Sequence, residues 1–332
     1  MAMKKAGIVG AGAWGTALST VAARAGLETL IWAFEEEVVA DINSVHENKT
    51  FLPDVPLPEG ILATNNLEDL KACDFLLLVV PTQFTRGIID QLKPHLDQKT
   101  PLVICSKGIE IKTGKLLSEV MGELVPENPI AVLSGPSFAA DVARGMPTAV
   151  TIAGESKEFA QDIGQAIGQE TFRPYWSGDI IGAQVGGAVK NVLAIACGIS
   201  EGKQLGTSAR AALITRGMAE MIQLTKAKGG KAKTLLGLCG LGDTVLTCTS
   251  TMSRNMSLGK ALGEGQTMEE ILGKRKSVSE GVYTAKIVAK LAADLKLDMP
   301  ICLAVNSILH EGASVDTAIH DLLARPFSEE TF

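Results

Sequence analysis

The sequence predicts an α/β fold in which a doubly wound, mostly parallel sheet is followed by an all-helical C-terminal domain. Three observations predict it. Short, continuously apolar runs alternate with helical patterns through the first half. A glycine-rich G-x-G-x-x-G stands between the first such run and the first helical pattern. After about Asp179 the strand signals stop and the remaining patterns are helical. With 332 residues, 46% of them hydrophobic and 20% charged, the chain suits two ordinary domains with sizeable cores.

The elements can be taken in chain order. Residues 6–10 (AGIVG) read as a strand, 14–25 as a helix and 29–33 as a second strand. Later strands are expected at 75–80 (FLLLVV), 102–106 (LVICS), 130–133 (IAVL) and 149–153 (AVTIA). Helical patterns lie between them at 83–92, 115–124 and 158–167. Apolar strands without alternation, separated by helices, imply a parallel sheet buried on both faces. The proline-rich stretch 43–58 is expected to be a surface loop. The second half reads as helices at 180–195, 209–228, 256–262, 282–295, 303–312 and 315–323. The expected domains are therefore 1–178 and 179–332, with no internal repeat and no flexible linker.

Composition excludes several function classes. The net charge of −6 argues against nucleic acid and anionic membranes as partners. An anionic ligand would need a local basic pocket. The six cysteines, at 73, 105, 197, 239, 248 and 302, form no C-x-x-C pair and no zinc spacing, so reduced core thiols and no metal are expected. The N-terminal segment, short and basic and then apolar, imitates a signal peptide. Its glycines at 7, 10, 12 and 15 are better explained by a ligand loop. No other stretch is expected to approach the roughly 18 apolar residues of a membrane span.

Gly10, Gly12 and Gly15 spell G-x-G-x-x-G (GAGAWG) between strand and helix, the context in which this otherwise weak pattern signifies dinucleotide binding. The first glycine serves a tight turn, the second lets the backbone approach a pyrophosphate, and the third lets helix and strand pack closely. The helix N-terminus then offers free N–H groups to the phosphates. A Rossmann-type sheet holding NAD or NADP is the consequence. After the second strand come Phe34, Glu35, Glu36 and Glu37. One of these glutamates could accept from the ribose 2′-hydroxyl of NAD. All three could equally be a solvated helix start, where acids are favoured.

The four histidines, at 46, 95, 310 and 320, lie in no catalytic signature, so a lysine is the next candidate acid. Lys190 sits in GGAVKNV, inside an apolar helical pattern. Desolvation there would lower its pKa and ready it to protonate a carbonyl oxygen. The alternative is a packed stem with the ammonium reaching water. Lys107 and the segment Ser134-Gly135-Pro136-Ser137 come after strand ends, where ligands bind in doubly wound sheets. Ser137 is also a natural helix N-cap, and Lys107 could be an ordinary surface lysine. Residues 237–243 (GLCGLGD) look too glycine-rich for a helix and deliver Asp243, with Thr247 four residues on. Ser253, Arg254 and Asn255 precede an apolar helix, which suits either a phosphate site or a plain serine cap.

Taken together, GAGAWGTAL (10–18), SKGIE (106–110), SGPSFA (134–139), GAVKNVLAIA (187–196), GLGD (240–243) and SRN (253–255) resemble the bacterial form of the NAD(P)-dependent glycerol-3-phosphate dehydrogenase family. The similarity runs from about residue 6 to about residue 325. It implies reduction of dihydroxyacetone phosphate to sn-glycerol 3-phosphate with NADH or NADPH, for phospholipid synthesis in the cytoplasm. It implies Lys190 as general acid, Lys107 as a second cation, and Asp243 and Thr247 as the groups that orient Lys190 and the substrate. Substrate contacts are implied for Lys107, Gly135, Ser137, Lys190, Asp243, Ser253, Arg254 and Asn255. Cofactor contacts are implied for Gly10, Gly12, Ala13, Trp14, Gly15, Phe34, Lys107, Ala139, Arg254, Val278 and Glu280. A homodimer through the helical domain is the family's habit.

One departure concerns the cofactor. Many bacterial members carry arginine or histidine where this chain has Phe34, and an arginine there would suit a 2′-phosphate. The choice between NADH and NADPH stays open at this level. Two other functions compete: a lysine-dependent keto-acid reductase, which needs no phosphate pocket, and a non-catalytic dinucleotide sensor, which needs neither Lys190 nor Asp243.

Overall fold

The chain folds into two units, one built on a sheet and one of helices, as seen in a computed structural model that describes residues 3–273, 279–327 and 329–330. The first unit comprises Met1–Ser106 and Leu117–Ile180. Its elements run β1 (Lys5–Val9), α1 (Ala13–Arg24), β2 (Glu28–Trp32), α2 (Glu36–Val45), β3 (Glu47–Asn48), β4 (Leu52–Pro56), β5 (Ile61–Thr64) and β6 (Phe75–Leu78). They continue with α3 (Thr85–Leu92), β7 (Leu102–Ile104), α4 (Leu117–Leu124), β8 (Ile130–Ser134), α5 (Ala139–Ala143), β9 (Thr148–Gly154), α6 (Lys157–Ile167) and β10 (Phe172–Ser177).

Eight of these strands form one sheet in the order β10-β9-β8-β7-β6-β1-β2-β5. Neighbours are parallel except at β8–β9, which is antiparallel, so β9 and β10 run against the rest. Every residue of β6, β7 and β8 is buried, which requires cover on both faces and explains their unbroken apolar sequence. The strand order reverses beside β1, where the chain enters the glycine loop.

Stretch 43–58 is not the expected surface loop. It closes α2 and then forms the β3–β4 hairpin, with Leu52, Val55 and Leu57 in the core and Asn48 fully buried. Two of its three prolines, Pro53 and Pro56, conceal strand β4 because they cannot donate to a ladder. Pro174 conceals edge strand β10 in the same way.

The second unit comprises Lys107–Leu116 and Ile181–Phe332. A single division at residue 178 therefore leaves out a crossing of the chain at 107–116. Ile109 and Leu116 bridge to each other and are buried in the helical core, which places this segment in the second unit. The helices are α7 (Ile180–Gly202), α8 (Thr207–Ala227), α9 (Asp243–Thr249), α10 (Arg254–Gly263), α11 (Met268–Gly273), α12 (Glu280–Leu295), α13 (Pro300–His310) and α14 (Val315–Leu323).

Helix α7 corrects two expectations. It continues seven residues beyond 195 and is buried nearly throughout. It is also long and apolar enough to cross a membrane, with a mean hydropathy of 1.5 over its best window. Here that apolarity makes it the centre of a core: 89% of the window is buried inside the protein. Gly198 and Gly202 of α7 face backbone carbonyls of Met256 and Lys260, and Gly259 and Gly263 of α10 face those of Ile195 and Ile199. None of the four positions has room for a Cβ, so the two helices touch backbone to backbone.

Candidate active site

The second unit buries a charged cluster in this apolar setting. Lys190, on α7, is 7% exposed, and Asp243, which opens α9, is 1% exposed. The Lys190 ammonium donates to Asp243 Oδ1 at 2.6 Å and to Thr247 Oγ1 at 2.7 Å. Lys107 donates to the other carboxylate oxygen, Asp243 Oδ2, at 2.7 Å. Thr247 in turn donates to the Asp243 backbone carbonyl at 2.6 Å, the i to i+4 relation expected from their spacing.

The stretch 237–243 is helical after all. Residues Leu238–Gly242 make one π-helical turn that runs directly into α9. Its glycines are needed for size, since Gly240 presses on the backbone of Leu235 with no space for a side chain. This wide turn starts α9 at Asp243 and aims the carboxylate at the two lysines. π-turns of this kind recur at functional sites.

Electrostatically the cluster is two cations on one anion. Burial pulls the Lys190 pKa down to about 8; Asp243 opposes the shift and Lys107 adds to it. Without Asp243, two ammonium groups would face each other in a dry interior, which is strongly unfavourable. An ammonium has three protons to donate, and two are engaged on Lys190. Its third has no hydrogen-bond partner among the described residues. The arrangement is that of a proton donor held in place beside a fixed positive charge.

Farther along, Ser253 caps α10 by accepting from Met256 N at 3.2 Å. Arg254 is the first helical residue and is exposed, while Asn255 is buried. Asn255 Nδ2 donates to Asn191 Oδ1 at 3.0 Å, and its Oδ1 accepts from Gly281 N at 3.1 Å. Asn191 comes directly after Lys190, so one hydrogen-bonded chain joins α7, α10 and the start of α12. Sequence reasoning missed Asn191; the available signal was a second polar residue in GGAVKNV. Glu280 opens α12, and Val278 lies outside the described residues.

The first unit carries the glycine loop. Gly10 has φ +114°, open to glycine, and a Cβ there would sit 3.0 Å from Val80 N. Gly12 faces open space, and Gly15 lies against the Gly10 carbonyl with no room for a Cβ. Helix α1 has no side-chain cap and no acid in its first turn, leaving the N–H groups of Ala13, Trp14 and Gly15 without helical partners. The buried Trp14 indole N–H has no partner among the described residues. These features fit a dinucleotide pyrophosphate.

Asn48, another residue missed from sequence, braces this loop. Its Nδ2 donates to the Ala11 carbonyl at 2.7 Å and to Thr16 Oγ1 at 2.8 Å. At the end of β2, Gly10 N donates to Trp32 O, and a pocket of about 380 Å³ opens beside Trp32, Phe34 and Glu36. Gly135, with φ +155° and Val150 Cα 2.9 Å from any Cβ, ends β8. Ser137 does not cap α5, which begins at Ala139 after Phe138. Its hydroxyl donates back to the Gly135 carbonyl at 3.0 Å, which holds the turn and delays the helix.

Both halves match known proteins. Residues 5–160 match the model of the NAD-dependent glycerol-3-phosphate dehydrogenase N-terminus, and residues 179–320 match that of its C-terminus. The chain belongs to the NAD-dependent glycerol-3-phosphate dehydrogenase family. A glycerol-3-phosphate dehydrogenase [NAD(P)+] of Parvibaculum lavamentivorans is 55% identical over 100% of this chain and 99% of its own length. That of Caulobacter vibrioides is 52% identical over 99% of this chain and 100% of its own. The crystal structure of glycerol-3-phosphate dehydrogenase from Coxiella burnetii superposes with a TM-score of 0.93 at 41% identity, covering 97% of this chain and 99% of that one. As a glycerol-3-phosphate dehydrogenase the protein is an oxidoreductase that uses NAD or NADP, and the family's reaction is reduction of dihydroxyacetone phosphate to sn-glycerol 3-phosphate.

Proposed function

We propose that this chain reduces dihydroxyacetone phosphate with Lys190 as the proton donor. The observation that carries this is the buried Lys190–Asp243–Lys107 cluster, which leaves one Lys190 proton free and brings its pKa to about 8. The glycine loop at Gly10, Gly12 and Gly15 would hold a reduced nicotinamide dinucleotide, which would supply the hydride taken up by the substrate's C2. Lys190 gives its proton to the C2 oxygen, and the hydroxyl of the product retains it. Lys107 offsets the negative charge that grows on that oxygen, an electrostatic contribution often among the largest in such reactions. Asp243 and Thr247 hold the Lys190 ammonium in one orientation.

Ser253, Arg254 and Asn255 are assigned to the substrate phosphate. Helix α10 offers its N-terminal N–H groups and Arg254 a planar guanidinium, both suited to a phosphate ester. Gly135 and Ser137 are assigned to the substrate as well. Gly10, Gly12, Ala13, Trp14, Gly15, Phe34, Lys107, Ala139, Arg254, Val278 and Glu280 are assigned to the cofactor. A cytoplasmic homodimer serving phospholipid synthesis fits the family assignment.

The test is loss of reduced-nicotinamide absorbance with dihydroxyacetone phosphate, run separately with NADH and NADPH. Turnover with either supports the assignment. Folded protein that turns over a keto acid but not the phosphorylated ketone would favour the keto-acid reductase, and binding without turnover would favour the sensor.

A further inference from the structure

Lys107 reaches Asp243 from a short hairpin, and one buried acid holds that hairpin shut. Residues 107–116 belong to the helical unit, and Ile109 and Leu116 bridge across the segment, each 1% exposed. Lys107 stands two residues before the bridge, in neither helix nor strand. Inside the bridge, Glu110 closes the turn with main chain and side chain together. Its N–H donates to the Lys115 carbonyl at 3.0 Å, and its carbonyl accepts from Gly114 N at 2.8 Å. Its carboxylate accepts from the Thr113 hydroxyl, which itself accepts from Lys115 N at 3.2 Å.

Burial makes this closure strong. Glu110 is 6% exposed, and a buried carboxylate is tolerated only while it is hydrogen-bonded, so an opened turn would strand it. The neighbour gains from that rigidity. A lysine loses much rotamer freedom when its ammonium is fixed on one acceptor. A backbone already fixed two residues away removes part of the freedom that remains and keeps the ammonium on Asp243 Oδ2.

We propose that Glu110 is a positioning residue for the reduction: by closing the 107–116 hairpin it holds the Lys107 ammonium on Asp243, where it can offset charge on the substrate oxygen. The proposal rests on the roles given above to Lys107 and Lys190. Its consequence extends to Lys190. Asp243 and Cys248 of α9 and Lys107 of the hairpin face the Lys190 ammonium; Lys107 lowers the Lys190 pKa, and the other two raise it. A Lys107 that swings away ceases to lower it, and Lys190 then keeps its proton to higher pH.

The test is the pH profile of kcat/KM for dihydroxyacetone phosphate in the full chain, beside thermal melting to show folding. Thr113→Val keeps every charge and opens the anchor from its exposed end, and Glu110→Ala opens it from the buried end. Both should lower kcat/KM at least about fivefold, the scale of a lost buried hydrogen bond. Both should also move the alkaline limb to higher pH, in the direction that Lys107→Ala moves it. Glu110→Gln, which can still accept from Thr113, should retain most of the activity. Added to Lys107→Ala, Thr113→Val should cause no further loss, because both act through one ammonium. Unmoved limbs in folded Thr113→Val and Glu110→Ala proteins overturn the proposal. So do losses that add to that of Lys107→Ala, or a Glu110→Gln protein as impaired as Glu110→Ala. If Lys107→Ala itself leaves kcat/KM and the limb unchanged, the role of Lys107 falls, and the proposal with it.

Discussion

The carboxylate of Asp243 is shared: Lys190 holds one oxygen at 2.6 Å while Lys107 holds the other at 2.7 Å. Each lysine therefore depends on the same acid for its place, and most tests of the chemistry pass through this group.

Lys190→Ala should lower kcat by at least about 100-fold, the usual scale of a lost general acid. Nucleotide affinity measured by titration should stay close to that of the wild type. A variant with near-normal kcat would remove Lys190 from the proton-donor role. In the wild type, kcat/KM for ketone reduction should fall as pH rises through about 8, because Lys190 then loses the proton it must give. The oxidation of glycerol 3-phosphate should gain over the same range.

Asp243→Asn should move that alkaline limb to lower pH. The Asp243 charge raises the Lys190 pKa, so its removal leaves the lowering influences of burial and Lys107 in control. Breaking a buried ion pair costs about 3–5 kcal/mol, so thermal melting should show a clear loss of stability. An unmoved pH profile in a folded variant would mean that Asp243 does not tune Lys190.

Arg254→Ala should raise KM for dihydroxyacetone phosphate at least about tenfold, equivalent to about 1.4 kcal/mol. Reduction of a non-phosphorylated hydroxyketone should barely change. Equal losses on the two substrates would show that Arg254 does not grip the phosphate.

Asn48→Ala should weaken cofactor binding while kcat at saturating cofactor stays near normal. It removes two buried hydrogen bonds that brace the glycine loop and leaves the Ala11 carbonyl without that donor. A cost of about 1–3 kcal/mol is expected for such a loss. Unchanged nucleotide affinity would limit Asn48 to a structural part.

Glu220 offers a test away from the chemistry. On α8, it accepts from Ile301 N at 2.7 Å and Cys302 N at 3.0 Å, so it caps α13 from a distance in sequence. Burial lifts its carboxyl to about 7. The fold thus favours the protonated form, and this contribution is present at acid pH and lost as pH rises through about 7. Melting temperatures of the wild type should decline relative to Glu220→Gln between about pH 5 and pH 8. A constant difference would place the Glu220 titration outside that range.

Most of the sheet was legible because buried parallel strands are written as unbroken apolar runs, as in β6 and β8. Edge elements were not: β5 is four residues long, and Pro53, Pro56 and Pro174 interrupt β4 and β10. In the candidate site, Lys190 was visible as a charge in an apolar helix. Asn48 and Asn191 were not, and nor was Glu220 away from the site, because each acts on a partner that local sequence does not name. The π-turn before Asp243 was hidden by its glycines, which suggest a loop when counted and a tight helix contact when packed.

The glycine crossing between α7 and α10 bears on how this enzyme measures its substrate. Lys190 rides on one helix and Arg254 on the other, and the two meet through main chain at Gly198, Gly202, Gly259 and Gly263. Where side chains set a helix spacing, a single exchange of a larger residue for a smaller one can lengthen or shorten it. Contact through glycine main chain leaves no side chain to trim, and an added one would force the helices apart. On the roles proposed for Lys190 and Arg254, this crossing sets the reach from proton donor to phosphate grip. A longer or shorter phosphorylated ketone would have to be accommodated by the Lys190 and Arg254 side chains rather than by a closer approach of the helices.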